Sequence, residues 1–118
     1  MYEIKVKDEF SGAHNLKNYK GKCEELHGHN WRVEVTVQSR ILNTHGMVID
    51  FKDLKDKLKK VLSTVDHKYL NNMPYFKKKN PTSENIARFI HGKLSREING
   101  KIRVDVWETE SCRASFYK

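Results

Sequence analysis

Two segments near the amino terminus alternate apolar and polar residues. Residues 2–7 and residues 31–38 place an apolar side chain at every second position, a pattern typical of strands with one buried face. His27 and His29 share the parity of the apolar residues in the second segment. If the extended conformation continues back to these histidines, both imidazoles lie on the buried face.

Two segments with helical spacing occupy the middle of the chain. In the first, Asp50 is placed to cap a helix over about residues 51–64. In the second, Thr82 or Ser83 is placed to cap a helix whose apolar stripe extends to Ile98. Both helices are amphipathic, so each needs a partner for its apolar face.

The carboxyl-terminal part returns to alternation, with strands predicted over residues 102–106 and 114–117. The order is therefore two strands, two helices and two strands. We expect an α+β fold of order ββααββ, in which a four-stranded antiparallel sheet is covered on one face by both helices. Such a sheet has two free edges, and joining edges between subunits would cover them.

Length and composition fit one domain spanning residues 1–118. The amino terminus lacks the continuous apolar stretch of a signal peptide, and no segment approaches the ~20 apolar residues that span a bilayer. Two cysteines, Cys23 and Cys112, do not make a disulfide framework. We expect a reduced, cytoplasmic setting and no membrane partner.

The chain is basic, with a formal net charge of +8. A basic surface attracts nucleic acid, anionic lipid or phosphorylated small molecules. No nucleic-acid-binding signature is present, and the densest basic run, Lys77–Lys79, is interpreted as a solvated loop. We therefore expect no nucleic-acid partner, and a basic RNA-binding module remains the non-enzymatic alternative.

The strongest chemical signal is His27-Gly28-His29, preceded by Cys23 and, further upstream, by His14. Histidines two apart on a strand point the same way, and a third from a neighbouring strand completes a set of three imidazoles. Such a set suits Zn²⁺ with an open fourth position, which is how catalytic zinc is usually held. The alternatives are ordinary strand histidines, or a closed structural site in which Cys23 is the fourth ligand.

Six segments in this order resemble the 6-pyruvoyltetrahydropterin synthase family, and together they cover nearly the whole chain. They are Phe10–His14, Cys23–His29, Ile49–Phe51, Asp66–Asn71, Asn80–Asn85 and Glu108–Thr109.

The resemblance implies a tunnelling fold, in which sheets of several subunits join edge to edge into a β-barrel, usually as a homohexamer built from two trimers. It also implies active sites at subunit interfaces, bound zinc and a pterin triphosphate substrate. Within the family, the spacing of Cys23 from the His-Gly-His segment is that of the carboxy-forming lyase of queuosine biosynthesis. That enzyme converts dihydroneopterin triphosphate to 6-carboxytetrahydropterin and releases acetaldehyde and triphosphate.

Residue by residue, the resemblance makes His14, His27 and His29 the zinc ligands and Cys23 the catalytic base. The bland interpretation of Cys23 is a small, inert apolar side chain. A thiol with a pKa of ~8.5 needs help to ionise at neutral pH, and Zn²⁺, a histidine or Lys22 nearby could lower that pKa.

The resemblance makes Asp66 and His67 a proton-relay pair, although a histidine at a solvated helix end is the bland interpretation. Glu108 matches the pterin anchor and could belong to the relay, because a carboxylate accepts paired hydrogen bonds from a pterin. Thr82 and Ser83 match positions that line the pterin pocket, and helix capping requires the same hydroxyl groups.

Glu24 bears on which pterin product the enzyme would make. In the family, a cysteine four residues before His-Gly-His marks the carboxy-forming enzyme, and a glutamate three residues before it marks a folate-type branch that makes 6-hydroxymethyldihydropterin. This chain has both Cys23 and Glu24, as in a dual-function subgroup, where Glu24 is a substrate-binding candidate. The bland interpretation is a solvent-facing acid, and the 6-pyruvoyl-forming activity is a further alternative. His45 and His91 are interpreted as surface residues, and Cys112 has no assigned role.

Overall fold

The chain was analysed as a computed structural model that describes residues 1–19 and 25–118. Its strands are β1 (Tyr2–His14), β2 (His27–Ser39), β3 (Lys68–Tyr69), β4 (Lys101–Thr109) and β5 (Cys112–Tyr117), and its helices are α1 (Phe51–Leu62) and α2 (Ser83–Leu94). Two short 3-10 turns, Leu70–Asn72 and Pro74–Phe76, lie in the connection between the helices.

The sheet has five strands in the order β3-β1-β2-β4-β5. Four of them form the expected antiparallel sheet, but β3 pairs in parallel with β1 at Gly12 and Ala13. The prediction of a purely antiparallel four-stranded sheet was therefore wrong, whereas the α+β class is confirmed. A two-residue strand held by backbone bonds leaves no periodic pattern in the sequence.

Both predicted helix caps are present. The side chain of Asp50 accepts a hydrogen bond from the backbone N–H of Lys52, and that of Thr82 accepts one from the backbone N–H of Asn85. Each helix ends earlier than the apolar spacing predicts. Ile98 is nevertheless buried, because the turn after α2 returns it to the core.

The helices cover one face of the sheet: α1 packs on β1, and α2 packs on β4 and β5. The apolar residues of the strands and helices form one core on this face. The opposite face carries paired charges, such as buried Asp105, whose carboxylate contacts Arg103 Nε at 3.0 Å and Arg113 Nη1 at 3.4 Å. Neither helix in the described part of the chain is long and apolar enough to cross a membrane.

The strand directions bring one end of each of four strands to the same end of the sheet. β1 ends there at His14, β2 begins there at His27, β4 ends there at Thr109 and β5 begins there at Cys112. The predicted chemistry-bearing residues are concentrated at this end.

Candidate metal centre and its surroundings

The three histidines continue the apolar face of the sheet beyond its last core residues. In the β1–β2 ladder, Phe10 lies opposite Trp31, Gly12 opposite His29 and His14 opposite His27. These residues share one face because two positions along each strand restore the same orientation. Extension of β2 back to His27 was the condition set by the sequence pattern, and the structure meets it.

Trp31 forms the floor of the centre. Its ring stacks on Phe10 with centroids 5.1 Å apart, and the imidazoles of His14 and His29 contact it edge-on at 4.9 and 5.1 Å. Gly12 fits beside this floor, since a Cβ there would lie 3.3 Å from the indole of Trp31. The aromatic packing therefore restricts how far the imidazoles can turn.

Backbone carbonyls orient two of the rings. His14 Nδ1 lies 2.7 Å from the carbonyl oxygen of Pro81, and His27 Nδ1 lies 2.7 Å from that of Glu25. A carbonyl only accepts hydrogen bonds, so each Nδ1 carries the proton and, in the neutral ring, Nε2 carries the lone pair. This arrangement fixes the tautomer in the way that is usual for metal-binding histidines.

Glu108 joins the histidines from the end of β4. The β4–β5 register shifts between Trp107 and Thr109, so Glu108 lies at an irregularity in the ladder, a feature that often re-aims a side chain near an active site. Its Oε1 lies 2.7 Å from His29 Nε2 and 3.9 Å from His14 Nε2. One ligand atom from each of His14, His27, His29 and Glu108 lies within 4.8 Å of the others.

These donor atoms fit a divalent metal ion. The Nε2 atoms of His14 and His29 are buried and have no hydrogen-bond partner among the described residues, because the short contact from His29 to Glu108 lacks hydrogen-bond direction. Burial lowers the pKa of both His14 and His29, which favours the neutral, metal-binding form. Three imidazoles and a carboxylate oxygen are a donor set that Zn²⁺ accepts.

Cys23 and Glu24 lie outside the described residues, so the geometry around the centre does not include them. The described chain resumes at Glu25, two residues before the ligand candidate His27. The roles assigned to the thiol and to the neighbouring carboxylate therefore remain predictions.

Asp66 and His67 lie at the other side of β1 and do not join the histidine cluster among the described residues. Asp66 Oδ1 accepts a hydrogen bond from the backbone N–H of Ser11 at 2.9 Å and lies 3.1 Å from His67 Nδ1. His67 adopts a φ of +56°, and its own N–H donates to the carbonyl of Ser11. This bend brings the two adjacent side chains together, and the imidazole is left largely exposed.

The hydrogen bond from Ser11, followed by the contact with His67, lowers the pKa of Asp66. The carboxylate is therefore ionised at neutral pH and stands beside Nδ1 of His67. The contact uses Nδ1 of His67, so Nε2 of the exposed ring is available for another partner.

Three asparagines of the sequence motifs have structural roles that sequence reasoning missed. The side chain of Asn71 bonds both the N–H and the carbonyl of Asn15, and the side chain of Asn80 does the same for Lys17. The Asn85 side chain in turn donates to the carbonyl of Asn80. In the segment after His14, these side-chain amides pair with backbone groups in the way that a neighbouring strand would. Such contacts leave no periodic pattern in the sequence.

Thr82 and Ser83 lie at the start of α2, close to Glu108. The Ser83 hydroxyl donates to Glu108 Oε2 across 3.4 Å. A cavity of about 180 Å³ beside them is lined by Ser83, Glu84, Glu108, Cys112, Arg113 and Ala114. The sequence assigned no role to Cys112, and the structure places it on this wall. The expectation that His91 is a surface residue was wrong: it is buried against Phe116, whereas His45 is exposed.

A helix-covered sheet that ends in three converging histidines and a carboxylate defines an α+β protein with a candidate metal centre. The family model for 6-pyruvoyl tetrahydropterin synthase matches residues 3–118. The chain belongs to this family.

Individual relatives carry different named activities. A 6-carboxy-5,6,7,8-tetrahydropterin synthase from Synechocystis is 38% identical, with 99% of this chain and 94% of the relative covered. A dihydroneopterin monophosphate aldolase from Pyrococcus furiosus is 36% identical, with 84% and 82% covered. The solved structure of Caenorhabditis elegans 6-pyruvoyl tetrahydropterin synthase superposes with a TM-score of 0.88 at 30% identity, with 99% and 95% covered.

Proposed function

We propose that the protein is a zinc-dependent lyase that converts dihydroneopterin triphosphate and water to 6-carboxytetrahydropterin, acetaldehyde and triphosphate in queuosine biosynthesis. The observation that carries the proposal is the convergence of His14, His27, His29 and Glu108 within 4.8 Å. Family membership makes the substrate a pterin, and the similarity to the Synechocystis 6-carboxytetrahydropterin synthase supports this product.

His14, His27 and His29 would hold the zinc through ring nitrogens. A bound Zn²⁺ would supply Lewis acidity for oxygens of the substrate side chain. His27, His29 and Glu108 are only partly buried, so substrate can reach the centre from outside the core. This exposure supports a catalytic rather than a structural site.

The pterin ring would be anchored next to Ser83 and Thr82. We assign the anchor to Glu108, whose carboxylate lines the small cavity there and can accept paired hydrogen bonds from the pterin. The same cavity is lined by a second carboxylate, Glu84, which is exposed. Glu84→Gln therefore belongs beside Glu108→Gln in any test of the anchor, and the variant with the larger rise in KM identifies it.

Cys23, as thiolate, would remove a proton from the substrate side chain. His67, oriented by Asp66, would act as the general acid or relay on the other side. The thiol has to stay free, so we propose a reducing compartment, the cytoplasm. The net charge of +8 favours capture of the triphosphate group.

We further propose that the subunits join through β1 and β5 into a barrel, as a homohexamer of two trimers. β1 and β5 are antiparallel to each other across the sheet, so pairing these edges would continue the antiparallel pattern. Asp66 and His67 lie beside β1 and the small cavity lies beside β5. Edge pairing would therefore place the relay of one subunit near the pocket of the next.

The central experiment is incubation of the zinc-loaded protein with dihydroneopterin triphosphate and identification of the products by mass. We expect 6-carboxytetrahydropterin, acetaldehyde and triphosphate. Cys23→Ala should lower turnover by at least ~10², a typical loss for an acid–base group, with zinc still bound. Ser63→Ala, which alters an exposed residue at the carboxyl end of α1, is the control and should retain the wild-type turnover.

Turnover by Cys23→Ala at the wild-type rate would exclude the thiol as the base. Chelation separates the catalytic interpretation from a structural one. A catalytic site loses activity but keeps its far-ultraviolet circular dichroism, whereas loss of the fold on chelation would indicate a structural zinc protein.

A second candidate function is cleavage of the side chain to give 6-hydroxymethyldihydropterin, alone or together with the carboxy product. It is favoured by Glu24 beside Cys23 and by similarity to the Pyrococcus aldolase. Both products are assayed in Glu24→Gln, with Glu25→Gln as the matched control. If Glu24 directs the second activity, only Glu24→Gln changes the product ratio; an unchanged ratio would reject dual function through this residue.

Active sites shared between subunits predict complementation. His67→Ala and Cys23→Ala should each be almost inactive, but a mixed oligomer contains some sites with both wild-type residues. Unfolding and refolding the two variants together should restore part of the activity, whereas separately refolded samples mixed afterwards provide the control. No recovery in co-refolded oligomers would show that each site takes both residues from one chain.

A further inference from the structure

A fourth donor group, the Glu108 carboxylate, lies beside the three histidines of the candidate metal centre. We propose that the Glu108 carboxylate binds the metal as a fourth ligand in the substrate-free protein and leaves it when the pterin side chain arrives. The exchange with substrate rests on the proposed function, whereas the ligand contact rests on the geometry of the centre alone.

Distances place the carboxylate oxygen where a ligand belongs. Glu108 Oε1 lies 2.7 Å from His29 Nε2 and 3.9 Å from His14 Nε2. A zinc ion that binds nitrogen and oxygen at about 2.0–2.2 Å holds its ligand atoms roughly 3–4 Å apart. The distance to His14 falls within that range and the distance to His29 lies just below it, so a small side-chain adjustment would bring the carboxylate to ligand distance from a bound ion.

Electrostatics points to the same conclusion. His14 donates its Nδ1 proton to Pro81, so its neutral ring directs a lone pair from Nε2 towards the centre, where Glu108 adds a carboxylate oxygen. Acceptors that face each other repel unless a cation lies between them. The buried, unpartnered nitrogens of His14 and His29 are the part of this arrangement that a metal ion would satisfy.

The same carboxylate is held loosely enough to exchange. Its other oxygen, Oε2, has a long contact of 3.4 Å with the Ser83 hydroxyl, and its side chain remains one-third exposed. Glu108 also lines the cavity that would receive the pterin. The β4 irregularity at this position frees the backbone from regular pairing with β5. A rotation of the side chain is therefore sufficient to move the carboxylate from the metal into the pocket.

Cobalt provides a readout that does not depend on turnover. Protein stripped of metal is titrated with Co²⁺, and the visible absorption reports the ligand set. Glu108→Ala should bind Co²⁺ about 10–100-fold more weakly than wild type, the usual loss for a residue that supports a metal site, and its spectrum should differ. Glu110→Gln, which alters an exposed carboxylate two residues away, should match wild type.

The exchange is tested by adding neopterin, which has the substrate side chain without the triphosphate, at concentrations that saturate each variant. The spectra of wild type and Glu108→Ala should then converge, because the carboxylate has left the metal. A difference that persists with neopterin would overturn the exchange, and equal Co²⁺ affinity and spectra without neopterin would overturn the ligand role.

Glu108→Gln keeps the size of the side chain and serves if Glu108→Ala does not fold, which thermal unfolding checks. Its amide oxygen is a weaker ligand, so its spectrum should also differ from that of wild type; identity of the two would count against the proposal. Failure of the proposed function is distinguishable, since a protein that does not convert dihydroneopterin triphosphate can still show the Glu108-dependent cobalt spectrum.

Discussion

Residues of one sequence motif divide into those that perform chemistry and those that hold the backbone. In the segment that follows α1, the side chains of Asp66 and His67 contact each other, whereas Asn71 makes two hydrogen bonds with the backbone of Asn15. Asn15 directly follows His14, so the amide contact helps position a metal-ligand candidate. One sequence motif therefore contains both residues placed for chemistry and residues that hold the backbone in position.

The first prediction concerns Asn71, which is buried. Asn71→Ala leaves the N–H and the carbonyl of Asn15 without their partner, and a buried polar group left unsatisfied costs about 1–3 kcal/mol. Urea unfolding should show a loss of this size in the free energy of unfolding.

The control for Asn71 is its exposed neighbour. Asn72→Ala should change the free energy of unfolding by less than about 0.5 kcal/mol, as is usual for surface substitutions. If the two variants lose the same stability, the amide contacts with Asn15 do not stabilise the fold.

At the scale of the elements, periodicity accounts for the parts that bury a continuous stripe. It predicted the long strands and both helices, and the parity of Trp31 placed His27 and His29 on the correct face. It did not predict β3, which is held by backbone pairing to Gly12 and Ala13. The approach of Glu108 to the histidines was also missed. Alternation along β4 places Glu108 on the face of Val104 and Val106, but it does not specify which residues of other strands it meets.

His91 shows how a polar residue is missed on a buried face. It lies one turn after Ala87 and one turn before Leu94, both buried on α2, so helical spacing alone would have placed it inside. Residue type suggested the surface. Burial is the largest influence and lowers the pKa of His91. A backbone hydrogen bond at Ile102 raises it and the charge of Lys118 lowers it, so the net effect is a lowered pKa.

The second prediction follows from that pKa. The unfolded chain has an ordinary histidine pKa of 6.5 at this position and the folded chain a lower one. As the pH is lowered through about 6.5, the unfolded state binds more protons than the folded state. The free energy of unfolding therefore decreases until the pH is below the folded pKa. His91→Gln should therefore lose less stability than wild type between about pH 7.5 and pH 5.5.

This comparison uses urea unfolding with a chelator present, so that metal binding does not contribute to the difference. His45→Gln removes an exposed histidine and should follow the wild-type pH dependence. A parallel pH dependence of His91→Gln and wild type would mean that His91 does not titrate differently in the folded and unfolded states.

For the whole molecule, the sheet leaves two edges and one polar face to be explained. The edges are β5 and the amino-terminal part of β1, which does not pair with β3. Tyr117 is exposed on β5, and Tyr2 is exposed on β1. On the face away from the helices, buried Asp105 is neutralised by two arginines. These features support the proposed barrel, in which this face would line a polar interior. The alternation pattern of one chain carries no information on the number of subunits.

The third prediction concerns the net charge of +8, which acts before any contact forms. A cationic protein attracts a triphosphate over a distance set by salt, about 10 Å at 0.1 M ionic strength. Raising salt from about 20 mM to about 300 mM should therefore lower kcat/KM several-fold through KM, with little effect on kcat. Neopterin, which lacks the triphosphate, provides the matched probe: its binding should be nearly independent of salt. A kcat/KM for dihydroneopterin triphosphate that does not respond to salt would show that local contacts, rather than the field of the whole protein, capture the substrate.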